Sequence, residues 1–113
     1  KKPLTVYGNG EQTRHFTFVK DTVACTLAAW HSQKSMGEVF NVASPQAVSI
    51  NEIIQAIKTL AGEITVEYLP AKAGEVKHNS INSSKAQKIL GFKAKYSFES
   101  GLKETLNQIK VSK

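Results

Sequence analysis

Tyr7-Gly8-Asn9-Gly10-Glu11-Gln12-Thr13-Arg14-His15-Phe16-Thr17-Phe18-Val19-Lys20-Asp21 is the stretch from which the fold is read. Leu4 to Tyr7 is β-prone, and the Asn9-Gly10 step that follows is a strong turn signal, because both residues tolerate positive φ. A second short strand rich in Thr, Phe and Val is expected from Thr13 to Val19, which makes the turn the tip of a first hairpin. Asp21 is then placed to cap a helix, with Val23, Ala24, Leu27 and Ala28 on one apolar face.

Working outward, Glu38 to Ala43 reads as a strand with little alternation, the pattern of burial on both faces. Ser49 and Glu52 form a capping-box pair ahead of an apolar stripe, Ile50, Ile53, Ile54, Ile57 and Leu60, and Gly62 follows the helix end. Ile64, Val66 and Tyr68 alternate with Thr65 and Glu67 in a half-exposed strand that Pro70 stops. A polar, flexible stretch runs from Lys72 to Asn82. Ser83 or Ser84 caps a short helix through Leu90, with Gly91 at its end. Ser97 starts a last helix bearing Phe98, Leu102, Leu106 and Ile109. The expected fold class is mixed α/β (α+β), with short strands, about four helices and more helix than strand.

The 113 residues fit one small domain, with 41% hydrophobic and 21% charged residues, an ordinary globular composition. No run approaches the roughly 20 apolar residues of a membrane span. The single cysteine, Cys25, has no internal disulfide partner and no metal-ligand spacing, so it reads as a small core residue in a cytoplasmic protein. Fifteen basic against nine acidic residues give a net charge of +6. The lysines are dispersed, so nucleic acid is an unlikely partner, whereas a small anionic ligand such as a diphosphate fits.

Several patterns fail as chemistry. Gly8 and Gly10 lack a third glycine at Thr13 and precede a strand, so they are a turn and not a dinucleotide loop. Tyr68 and Lys72 have a Tyr-x-x-x-Lys spacing, but Pro70 and the strand pattern deny them the shared helical face that this chemistry needs. His15, His31 and His78 stand in no metal motif, and no metal site is expected. The candidate anion-binding groups are Arg14, whose guanidinium fork suits paired phosphate oxygens, and Lys72, Lys77 and Gly74 in the polar stretch, where Glu75 is available to accept hydrogen bonds from sugar hydroxyls. By themselves these residues are better read as an exposed arginine and an ordinary basic loop.

Seven strings, in order and with compatible spacing, resemble the NAD-dependent epimerase/dehydratase family of extended short-chain dehydrogenases. They are Tyr7-Gly8-Asn9-Gly10, Arg14-His15-Phe16 through Asp21, Phe40-Asn41-Val42-Ala43, Ser49-Ile50-Asn51-Glu52, Lys72-Ala73-Gly74-Glu75-Val76, Asn82-Ser83-Ser84-Lys85-Ala86 and Leu90-Gly91-Phe92. UDP-sugar 4-epimerases and UDP-glucuronate decarboxylases are the most similar branches. The resemblance implies the carboxyl-terminal, nucleotide-sugar-binding part of such an enzyme, spanning residues 1–113. Arg14 would contact the diphosphate, the strand around Tyr7 would lie against the base, Lys72 would stand where arginine is usual, and Glu75 would reach the ribose. His15, Ala43 and Asn82 depart from the family's Asp, Gly and Asp.

The glycine-rich NAD turn and the catalytic Tyr-x-x-x-Lys of the family would lie upstream of Lys1. NAD would therefore be a cofactor of the full-length family and not of this chain, no catalytic residue is assigned, and no turnover is expected from it alone. The helix around Val23 to Leu27 and the Val39 to Ala43 strand, packed on that other half in the family, would be left exposed and favour a homo-oligomer.

Overall fold

One carboxylate oxygen and one hydroxyl decide where the best-formed helix begins. In the computed structural model, which describes residues 2–111, the Ser49 hydroxyl accepts from the Glu52 N–H at 3.2 Å. The Glu52 carboxylate accepts in return from the Ser49 N–H at 2.7 Å. The expected capping box is thus complete, and helix α2 runs Ile50–Ala61 with Gly62 at its end. By contact density the chain sorts into two compact units, residues 1–14 with 47–79 and residues 15–46 with 80 onward.

In the first unit, strand β1 (Leu4–Tyr7) pairs in parallel with β4 (Val66–Leu69), from Leu4↔Val66 to Tyr7↔Leu69. A parallel pair needs a crossover, and α2 supplies one in the sequence between them. Strand β2 (Thr13–Arg14) pairs antiparallel with β3 (Val48–Ser49). The expected hairpin is therefore not formed. A two-residue hairpin turn wants positive φ at adjacent positions. Here positive φ falls on Gly8 (76°) and Gly10 (77°), on either side of Asn9, so the turn redirects the chain to a new partner. The expected Thr13–Val19 strand is likewise shortened to two residues, because its partner turns into α2 after Ser49. Val6, Val48 and Ile54 are the buried hydrophobic residues of this unit.

The second unit holds α1 (Val19–His31), a 3-10 turn (Gln33–Ser35), α3 (Ser84–Leu90) and α4 (Phe98–Val111). Its core is Cys25, Ala86 and Phe92, with Phe40, Val42, Leu90 and Ala94 packed against them. Burial pushes the Cys25 thiol pKa up, as befits a core residue and not a nucleophile. The Ser97 hydroxyl accepts from the Ser100 N–H at 3.2 Å and so caps α4 as expected.

Two sequence expectations need correction in this unit. Asp21 is not the cap of α1, which starts at Val19 after Phe18. It sits in the first turn, 2% exposed, and its carboxylate accepts from the N–H groups of Lys95 (2.9 Å) and Tyr96 (3.2 Å). The buried face of α1 centres on Asp21 and Cys25, while Val23, Ala24 and Leu27 face solvent, as expected for the helix around Val23 to Leu27. Residues 38–43 form no strand among the described residues. They are extended with Phe40 and Val42 turned inward and Val39 80% exposed, so burial is one-sided and not two-sided. Side chains stand in for a ladder as this segment ends. The Ala43 N–H donates to the Ser83 hydroxyl (3.0 Å), the Ser44 N–H to the Thr17 hydroxyl (3.0 Å), and His15 Nδ1 to the Ser44 carbonyl (2.7 Å). No helix among the described residues is long and apolar enough to cross a membrane.

The capping box makes a stability prediction with a sign. Hydrogen bonds from the Ser49 backbone and then its side chain lower the Glu52 pKa. A lowered folded value contributes stability above the ordinary carboxylate range and loses it as pH falls through the folded value. In urea unfolding, Glu52→Gln should lie below wild type near neutral pH and converge with it in acid. Ser49→Ala should cost about 1 kcal/mol at neutral pH.

Candidate functional site

Thr13 brings the candidate residues together. On one side it pairs with Ser49 in the β2–β3 ladder, and on the other its N–H donates to the Lys77 carbonyl at 2.8 Å. Its hydroxyl meets His78 Nδ1 at 3.2 Å, so the loop after Pro70 is fastened beside β2. That placement brings Glu75 to Arg14, the next residue of β2.

Arg14 Nη2 lies 3.9 Å from Glu75 Oε1, with both side chains about one-third exposed. Its other terminal nitrogen donates to the Thr13 carbonyl at 2.8 Å. The Lys72 ammonium sits 3.9 Å from the centroid of the Tyr7 ring, a close cation–π contact. Arg14 and Glu75, and Tyr7 and Lys72, therefore form two paired contacts between the strand ends and one loop. Tyr7, Lys72 and Glu75, together with Gln12 and His78, line an open cleft of about 600 Å³. Lys77 lines it as well, and Gly74 shapes its loop with φ at 79°.

Two residues that the sequence did not single out hold this arrangement. The Gln12 amide donates to the Tyr7 carbonyl at 2.8 Å and to Glu75 Oε1 at 3.5 Å. Asn51, one position before Glu52 in α2, fastens the turn. Its N–H donates to the Gly10 carbonyl (3.0 Å), and its side-chain amide donates to Asn9 O (3.0 Å) and Glu11 Oε1 (2.6 Å). Its side-chain oxygen accepts from the Tyr68 hydroxyl at 3.0 Å. A polar residue of weak helix propensity inside a first turn is a sequence signal for Asn51. Gln12 has no comparable signal.

The rejected motifs stay rejected on geometry. Tyr68 lies in β4 with its hydroxyl on Asn51, while Lys72 is on Tyr7, so they do not act as a pair. A Cβ at Gly10 would collide with the Asn51 side chain, so the open face of that glycine is filled by protein. The chain then enters β2 instead of a helix. The turn therefore does not fit the pyrophosphate of a dinucleotide. Among the described residues no group of three His, Cys, Asp or Glu side chains could hold a metal ion.

These elements match solved structures of nucleotide-sugar enzymes with the extended short-chain dehydrogenase fold. Against UDP-glucuronic acid 4-epimerase from Bacillus cereus, in complex with UDP-glucuronic acid and NAD, the TM-score is 0.90 at 34% identity, over 99% of this chain and 36% of that one. MoeE5 in complex with UDP-glucuronic acid and NAD gives 0.92 at 29% identity, over 99% and 38%. The family model for GDP-mannose 4,6 dehydratase matches residues 1–105, and the chain belongs to this family of NAD-dependent epimerases and dehydratases. It is 36% identical over 110 residues to the UDP-glucuronate 4-epimerase of Thermodesulfobacterium geofontis (strain OPF15), covering 95% of this chain and 33% of that protein. A UDP-N-acetyl-alpha-D-glucosaminuronate decarboxylase of Bacillus cytotoxicus is 34% identical over 110 residues, or 91% of this chain and 34% of its own length. The chain thus spans about a third of the curated relatives it matches.

Gly10 offers a direct check on the turn that aims β2. Gly10→Ala should destabilise the chain by roughly 1–2 kcal/mol from positive φ alone, and further from collision with Asn51. Equilibrium unfolding reads the loss, and near-wild-type stability would show that the turn has another conformation.

Proposed function

We propose that the chain is the nucleotide-sugar-binding portion of an NAD-dependent UDP-sugar epimerase or decarboxylase, silent in catalysis when separate from the rest of such an enzyme. The observation that carries this reading is the cleft lined by Tyr7, Lys72 and Glu75, with Arg14 joined to it through Glu75. Relatives solved with UDP-glucuronic acid support the ligand class.

Each residue has a role that follows from its chemistry. The Arg14 fork offers two parallel N–H donors to phosphate oxygens, a better match than its long, half-solvated contact with Glu75. Lys72 supplies a point charge that can leave the Tyr7 ring for the diphosphate. Vacating that ring frees an aromatic face for the base. Glu75 can accept hydrogen bonds from ribose hydroxyls. NAD, held elsewhere in a full-length relative, would supply the hydride chemistry. The described residues fit no role in that step. A cytoplasmic setting goes with this reading and with the free, buried thiol of Cys25.

Calorimetric titration with UDP-glucuronic acid tests the proposal. Saturable binding is expected, weakened by salt and reduced about 10- to 100-fold by Arg14→Ala, as for a charged hydrogen bond. Wild-type affinity in that variant would remove Arg14 from the site.

A specific observation favours the alternative reading, a non-catalytic, self-associating α/β module derived from that family, which has kept the fold and lost the ligand. Val19, Val23, Leu27 and Trp30 recur at helical spacing along the solvent side of α1, and Trp30 is 83% exposed. An apolar stripe of this kind is commonly covered by protein, and a second copy of this chain would cover it. In sedimentation velocity a concentration-dependent dimer is expected, which Leu27→Asp converts to monomer. A wild-type monomer at high concentration would reject the dimer.

A further inference from the structure

Glu75 has two side-chain partners, each at the outer limit of its kind, Arg14 across 3.9 Å and Gln12 across 3.5 Å. They differ in anchorage, because the Gln12 amide is already held on the Tyr7 carbonyl at 2.8 Å. A diphosphate that draws Arg14 away would leave Glu75 in an exposed loop, repelled by the same anion. Gln12 would then be its remaining side-chain tie to the strand.

We propose that Gln12 is a positioning residue for the nucleotide cleft, holding Glu75 at the ribose while Arg14 is engaged by phosphate. This rests on the nucleotide-sugar reading above and extends it to a residue that touches the ligand only through another. The amide is suited to the task. One NH₂ group donates both to the fixed carbonyl of Tyr7 and to the carboxylate, and so ties the end of β1 to the loop. A neutral donor makes that tie without attracting the phosphates itself.

A role exercised through Glu75 has a signature that general loosening of the cleft lacks. Ligands with ribose hydroxyls should sense Gln12, and ligands with only the phosphates should not. The wild-type 113-residue chain, Gln12→Ala, Glu75→Ala and the double variant are titrated by calorimetry with UDP and with inorganic pyrophosphate. Gln12→Ala should weaken UDP about three- to tenfold, the worth of one hydrogen bond, and leave pyrophosphate unchanged. In the Glu75→Ala background it should have no further effect, because the two residues act as one unit. Equal weakening of both ligands, an undiminished effect without Glu75, or full-affinity UDP binding by Gln12→Ala would each overturn the proposal. Should Gln12→Ala fail to fold, Gln12→Met replaces it. A neutral side chain of similar length without a donor should give the same selective loss, and its absence overturns the proposal equally. A wild-type chain that binds neither ligand instead rejects the nucleotide reading on which this one stands.

Discussion

Thr13 is the residue on which the cleft depends. It is bonded on both sides, to Ser49 of β3 through the ladder and to Lys77 and His78 through its N–H and hydroxyl. A strand of two residues would be marginal alone. Fixed on both flanks, it can hold Arg14 at a set distance from a loop more than fifty residues away in sequence. The Asn51 amide secures the turn immediately before it, and all the polar atoms of that side chain are used. Local structure, and not the size of the hydrophobic core, therefore makes the site.

The electrostatics of the cleft follow from these constraints. Arg14 and Lys72 are each satisfied within the chain, by a carboxylate and by a ring face. Both contacts are partly solvated, so each is weak and readily exchanged. Each of these two cations is thus held on a partner of its own within the chain. Net charge alone, spread over the surface, could not single out this place.

Helices were largely legible in the sequence because their signals are local. The capping box at Ser49 and Glu52, the glycines after α2 and α3, and the cap at Ser97 all fell where the residues placed them. Strands were less legible because pairing is not local. The Asn9-Gly10 step marked a turn correctly, but which strand follows as partner is decided by Ser49 and Val66, far along the chain. Asp21 looked like a cap because it precedes an apolar run. Its real task, satisfying the peptides of Lys95 and Tyr96, depends on a segment seventy-four residues away. The same holds for residues 38–43, whose composition suggests a two-sided strand but whose partners here are the hydroxyl of Ser83 and the core at Phe92.

Of the candidate residues, Arg14, Lys72, Glu75 and Tyr7 are recognisable from their strings; Tyr7, Lys72 and Glu75 line one cleft, and Arg14 meets Glu75 beside it. Gln12 escaped notice because an amide in a loop carries no sign of what it bridges. The most direct measurement is a ¹⁵N-edited NMR titration of the chain with UDP-glucuronic acid. Shift changes should concentrate at residues 7–14 and 71–78, with the Arg14 guanidinium moving onto the ligand. Saturating binding that perturbs only residues 16–46 or the terminal helix would place the nucleotide elsewhere and contradict the cleft as its site.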